Sequence, residues 1–317
     1  MVGWRAFCGS TLLVLAVLFT LASSLRTPAL HRREALAAAG AAAASLLTPE
    51  HAMSTDGSLM ARIKERRFDK PIFSLPPQEA AYPDWMEGTW DVTAGFGGYL
   101  FPSKTVKKEA VVSNEYTPGF KQLSIMSNAD IGPPAAAFQQ RFARRGGGGS
   151  AVRDDRPFNL SAAMRGWLGD RAPAVLSCEY EPERNPNRCS FALRPAAAAG
   201  ARAGAGNTRV ELFTNARETE AAGADAFLLS EYIRQVTIYR PGADVIAREL
   251  VADYQQFWVY RRGGEEGGGG GGRGFKASLL TCGYLQPQDS NYFDSPTEPV
   301  VLYSHAYDFK PAAAGAA

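Results

Sequence analysis

Apolar and polar residues alternate with a period of two through most of the chain. Trp90, Val92, Ala94 and Phe96 fall on one side of a run whose other side is Thr89, Asp91 and Thr93. Leu176, Cys178 and Tyr180 alternate with Ser177 and Glu179. Cys189, Phe191 and Leu193 alternate with Ser190 and Arg194, and Val210 and Leu212 with Arg209 and Glu211. Tyr303, His305, Tyr307 and Phe309 share one face near the C-terminus. Such alternation predicts strands with one face in a core. Further strands are predicted over Phe138–Phe142, Phe227–Tyr239, Ile246–Tyr260 and Phe275–Leu285; several are apolar on both sides, which points to bulges or sheet corners. The best helical stripe is Asn159–Leu168, with Leu160, Met164, Trp167 and Leu168 on one side. The sum is a mainly β chain of roughly eight to ten antiparallel strands with a short helix, enough to close a small barrel around one ligand-sized interior. A sandwich would show the same alternation.

Residues 174–194 read as one hairpin, with Glu183-Arg184-Asn185-Pro186-Asn187 as its turn. A turn centred between Glu183 and Arg184 sets Cys178 opposite Cys189 and Leu176 opposite Phe191. Opposed α-carbons lie about 4.5–5.5 Å apart, within reach of a disulfide. Cys178 and Cys189 are therefore either a disulfide or two buried thiols, and Cys282 is left as an unpaired buried thiol.

Three tracts, Gly146–Ser150, Ala196–Gly206 and Gly263–Gly274, carry too little side chain to enter a core and read as flexible loops between strands. Gly267–Gly272 is no phosphate cradle, because no Gly-Lys-Ser/Thr follows it. Residues 53–81 read as an extended lead-in, residues 82–310 as a single β domain, and residues 311–317 as a disordered tail.

The N-terminus reads as an address and a disordered targeting region. Arg5, an apolar run from Leu12 to Phe19 and the exit Ala22-Ser23-Ser24 make residues 1–24 a signal peptide; a run of ~10 residues is short for a ~20-residue membrane span. Residues 25–52 are basic at first and then rich in alanine. Ser23-Ser24-Leu25-Arg26 resembles the junction used by algae with complex plastids, with Leu25 where an aromatic is usual. Arg32-Arg33 before Ala35–Leu47 resembles a twin-arginine signal for a further membrane. The expected destination is the plastid, and within it the thylakoid lumen, with the stroma as the alternative.

Without residues 1–52, which hold Arg5, Arg26, Arg32 and Arg33 against Glu34 and Glu50, the 34 basic and 32 acidic residues become 30 of each. A near-neutral chain with no dense basic run lacks the footprint that nucleic acid requires. The short runs Lys107-Lys108, Arg144-Arg145 and Arg261-Arg262 read as solvated strand ends or loop edges. Of three histidines only His305 lies beyond the address, set between Tyr303 and Tyr307 as a core or lining residue would be. No Cys/His spacing suggests a metal, and no catalytic residue or cofactor is assigned. Glu249 and Asp253 share a strand face, with solvent as its ordinary neighbour.

Two resemblances add to this reading. Gly88-Thr89-Trp90 on a first strand resembles the lipocalin/calycin signature, in which the Trp plugs the closed end of the barrel and a basic residue stacks on it; Lys310 and Arg261 are the nearest candidates for that cation. More broadly, residues 82–310 resemble an uncharacterised domain family of cyanobacteria and plastids. The matching pieces are Tyr82-Pro83-Asp84-Trp85, Gly88-Thr89-Trp90, Thr117-Pro118-Gly119-Phe120, Phe138-Gln139-Gln140-Arg141-Phe142, Asp155-Arg156-Pro157-Phe158-Asn159, Asn185-Pro186-Asn187-Arg188 and Leu285-Gln286-Pro287-Gln288-Asp289 with Tyr292-Phe293. The resemblance implies a photosynthetic setting and no known activity. Within these pieces Arg141, Arg156, Asn159 and Arg188 either orient a ligand head group or brace a helix start and a turn. Trp90, Tyr232, Tyr254, Trp258, Tyr260, Tyr284 and Tyr303 either line an apolar cavity or fill a core.

Three functions follow as expectations. The first is a soluble or membrane-peripheral, non-enzymatic barrel that binds an apolar or amphipathic molecule such as a lipid, pigment or quinone. Its ligand would meet Trp90, Arg141, Arg156, Asn159, Tyr232, Tyr260, Tyr284, Tyr303 and His305. The second is a structural or assembly factor for photosynthetic membrane complexes. The third is an enzyme, of the chromophore-lyase kind or another, on a calycin-like barrel. Oligomeric state is not legible in the sequence.

Overall fold

The computed structural model describes residues 58–71, 77–113, 135–145, 151–194, 207–239, 248–263 and 274–313. The targeting region, Thr117–Phe120, most of the glycine and alanine tracts and the end of the tail lie outside them. The helices are α1 (Leu59–Lys64), α2 (Lys108–Ser113) and α3 (Arg156–Leu168). The strands are β1 (Gly88–Leu100), β2 (Ala136–Arg144), β3 (Val152–Asp154), β4 (Ala174–Glu179), β5 (Arg188–Arg194), β6 (Thr208–Ala221), β7 (Ala226–Tyr239), β8 (Arg248–Arg262), β9 (Phe275–Tyr284) and β10 (Val301–Pro311).

Among the described residues ten strands form one antiparallel sheet in the order β3-β2-β1-β10-β9-β8-β7-β6-β5-β4. The chain is an up-and-down meander in which β1 pairs with β10, Val92 opposite Phe309 and Ala94 opposite Tyr307. The sheet curls far enough for side chains of β1–β3 to meet those of β7 and β8. The Tyr82 ring, held beside β3 by a bridge to Val152, lies 5.4 Å from Phe227 on β7 and 6.2 Å from Tyr260 on β8. The result is a curled half-barrel. Among the described residues its outer strands β3 and β4 do not pair, and between them in sequence stands α3.

Helix α3 packs on the inside of this opening. Asp155 caps its first turn by accepting from the Phe158 N–H, and Pro157 suits that turn because it has no N–H to lose. Met164 and Trp167 are buried, Met164 among Phe191, Val210, Leu212 and Ile233. Gly166 lets the helix touch β2: a Cβ there would sit 2.7 Å from Phe138 Cδ1 and 2.9 Å from the Ala137 carbonyl oxygen.

The inward faces of β1, β5 and β10 are those the alternation predicts. The β4–β5 hairpin differs. Leu176 is a bulge, Cys178 pairs with Phe191 rather than Cys189, and Val175 and Leu176 are exposed. An outermost strand has a neighbour on one side only, so its alternation need not mark a core face. The lead-in is likewise not simply extended: it includes α1 and seats Phe68 against Phe257, with ring centroids 5.1 Å apart.

Candidate functional site

The sequence-selected residues separate into four places. Trp90, Tyr260, Tyr303 and His305 face the inside of the curl. There the rings contact one another: Trp90 lies 4.7 Å from Phe275, Phe275 4.1 Å from Phe309, and His305 5.7 Å from Tyr303 and 5.6 Å from Trp167. The Trp90 indole donates to the Met86 carbonyl at 2.8 Å and meets the Phe275 ring edge-on, while Lys310 is solvent-exposed near Asp308. Gly88, at φ +136°, turns the chain into this strand in a conformation that side chains resist.

Tyr232 and Tyr284 lie on the outer face, beneath the lead-in. The Tyr232 hydroxyl donates to Asp253 at 2.6 Å, and the Tyr284 hydroxyl donates to the Phe68 carbonyl at 2.8 Å. Asp253 does not face water. It is fully buried between Lys70 at 2.8 Å and Arg234 at 2.8 Å. Burial raises the Asp253 carboxyl, but the hydrogen bonds from Arg234, Lys70 and Tyr232 together hold it well below the usual carboxylate range. This cluster ties the lead-in to β7 and β8.

Arg141 and Asn159 form the seam between β2 and α3. The Asn159 side-chain oxygen accepts from the Arg141 N–H at 2.7 Å, and its amide donates to the Arg141 carbonyl at 3.1 Å. The Arg141 guanidinium bonds Asp155 at 2.8 Å and covers the Phe158 ring.

Arg156 belongs to a buried ionic centre that sequence reasoning otherwise missed. From the start of α3 it donates to Glu231 of β7 at 2.7 Å and to the Thr214 hydroxyl at 3.3 Å. Arg217 of β6 donates to the same Glu231 oxygen at 2.7 Å, and Asp154 of β3 lies 3.4 Å from Arg156. Burial works against the Glu231 charge, but Arg156 and Arg217 outweigh it and hold the carboxyl at about 2. Burial, with Asp154 nearby, pushes the Tyr82 and Tyr260 phenols well up. Chemically this centre is a carboxylate clamped by two guanidiniums, tying α3 to the sheet. The sequence signal was one acid, Glu231, inside the apolar run Phe227–Tyr239.

Around this centre, Glu79 takes the Tyr180 hydroxyl at 3.2 Å and pairs with Arg145. On the outer face Glu211 accepts from Arg188 at 2.9 Å, and also from Ser190 and Arg209, which together hold its carboxyl at about 2 despite desolvation. Arg188 thus braces β5 on β6. Cys178, Cys189 and Cys282 are free thiols, with the Cys178 and Cys189 sulfurs 3.8 Å apart. Among the described residues no group of three His, Cys, Asp or Glu is placed to hold a metal ion, and no helix is long and apolar enough to cross a membrane.

At the end of the sheet where β1 stops and β10 starts, Tyr99 and Leu100 are nearly half exposed and Phe293 is 88% exposed. The loops beneath them are fixed. Phe101 and Tyr292 pack on Val106, Leu285, Val300 and Val301, and the Thr105 hydroxyl donates to the Asp294 carbonyl at 2.9 Å. A surface cleft of about 560 Å³ opens beside them, lined by Lys104, Thr105, Asp294, Ser295, Thr297 and Glu298 among others.

Fold and sites together define an antiparallel half-barrel protein with an aromatic interior, a buried ionic clamp and an apolar rim. The chain belongs to the DUF6816 family, a domain of unknown function whose model matches residues 74–313. No curated protein and no solved structure matches it.

Proposed function

We propose that this protein acts through its outer surface, as a structural or assembly factor for photosynthetic membrane complexes. Residues 1–52 would bring it to the plastid and on to the thylakoid lumen. The observation that carries this reading is the rim: Tyr99, Leu100 and Phe293 stand in solvent above loops that are themselves well packed. Exposed apolar side chains on a fixed base suit contact with another protein surface. The inward residues that would line a ligand cavity instead support one another, with Trp90, Phe275 and Phe309 ring against ring. A lipid, pigment or quinone entering there would have to part those rings, and Tyr232 and Tyr284 lie on the opposite face of the sheet.

The test is a Tyr99→Ser, Leu100→Ser, Phe293→Ser triple variant expressed in the native host. Wild-type chain is expected to migrate with a membrane complex on native gels. The triple variant is expected to lose that migration while keeping its circular dichroism and melting temperature. Unchanged migration of the variant, or a stoichiometric pigment or lipid extracted from wild-type protein, would overturn the proposal.

A further inference from the structure

The thiols of Cys178 and Cys189 sit 3.8 Å apart across the outermost strand pair of the sheet. We propose that they form a reversible dithiol–disulfide site that exchanges with an external disulfide. Three observations converge on it. Cys178 is half-buried on β4, so a partner can reach it, whereas Cys189 is buried behind it. Among the described residues the strand β4 pairs with β5 alone, and no second strand there resists the small movement that bond formation needs. The cysteines lie on a diagonal, since Cys178 pairs with Phe191, two residues beyond Cys189. Diagonal α-carbons lie about 7–8 Å apart, beyond the usual disulfide separation. A bond formed there draws the strands out of their resting register, which favours easy reduction over permanence. The hydrogen bond from Cys189 supports the Cys178 thiolate, and the same contact together with burial keeps the Cys189 proton on. Those are the roles of an attacking and a resolving thiol.

The exchange balances as follows. The Cys178 thiolate attacks one sulfur of the incoming disulfide, forming a mixed disulfide and releasing one thiolate. Cys189 then loses its proton and attacks the Cys178 sulfur, expelling the second thiolate. Two protein thiols are oxidised to one disulfide, and the incoming disulfide is reduced to two thiols. Tyr180, which donates to Glu79, lies two residues from Cys178, so the linkage also alters the edge that anchors residues 77–80.

The test uses the full chain and oxidised glutathione, followed by alkylation and peptide mass mapping. Trypsin cuts after Arg184 and Arg188, between the two cysteines. The expected result is loss of two alkylatable thiols, a cross-linked peptide pair two hydrogens lighter than its parts, and full recovery with dithiothreitol. Cys189→Ser is expected to trap one glutathione on Cys178. Three outcomes would overturn the proposal: both thiols still alkylatable, an adduct that persists on Cys178 in the wild-type chain, or a bridge that uses Cys282 or Cys8. The main measurement is made on wild-type protein, so it does not depend on a variant folding.

Discussion

Glu231 shows how one residue can hold several elements together. One of its carboxylate oxygens brings Arg156 of α3 and Arg217 of β6 to one point inside the curl. Replacing it with leucine takes the carboxylate from Arg217 and leaves Arg156 with Asp154 at 3.4 Å. Breaking a buried pair on one side costs about 3–5 kcal/mol, so Glu231→Leu is expected to lower the urea midpoint sharply. The acid dependence follows from the same groups. Glu231 and Glu211 are each held at about 2, below the ordinary carboxylate value of about 4.3. A carboxylate depressed in the folded state contributes fully above its unfolded value, and that contribution fades as pH falls toward the folded one. Stability should therefore drop between about pH 4 and pH 2. Denaturation at stepped pH checks this, and a flat profile would remove the two clamps from the account of stability.

At the level of elements, α3 matters because it occupies the opening between β3 and β4. Its fit depends on Gly166. Alanine would improve helix propensity by about 1 kcal/mol. Its Cβ, however, would press on the Phe138 ring at 2.7 Å and on the Ala137 carbonyl at 2.9 Å. The carbonyl belongs to a paired strand and cannot swing aside, so overpacking, at about 1–3 kcal/mol, outweighs the propensity gain. Gly166→Ala should thus destabilise the protein in thermal melts; a higher melting temperature would mean that α3 sits further from β2. The lead-in is the second such element. Lys70→Met removes one of three partners of fully buried Asp253, and limited proteolysis should then cut earlier within residues 58–71.

Across the whole molecule, order should be unequal around the curl. Strands β7, β8, β9 and β10 are paired on both sides, while β3 is three residues long and β4 is exposed along most of its length. Amide hydrogen exchange is expected to be slowest in β7–β10 and fastest in β4. Equal protection of β4 would show that the edge is covered by something further.

Alternation or an apolar run was enough to place nine strands, and a helical stripe to place α3, because most of these elements have a face that must leave water; β4 alternates without such a face and is exposed along most of its length. The three-residue β3 was too short to show a period. Trp90, Phe275, Phe309, Tyr303 and His305 were already visible as strand positions, and Trp167 as part of the helical stripe. What the sequence could not order was the third dimension. Tyr232 and Tyr284 looked like Tyr260 and Tyr303, yet face the other side, because the lead-in supplies a second packing surface that no local pattern announces. Asp253 and Glu211 read as solvent positions because an isolated acid in a strand usually is one, and Glu231 stood unremarked inside the apolar run Phe227–Tyr239. Only the fold brings arginines from distant segments to each of them, and that long-range pairing makes burial of the charge affordable. The half-barrel itself was also decided by tertiary packing: the meander allows closure, and α3, seated by Gly166, Asn159 and Arg156, stands where the last pair of strands would have met.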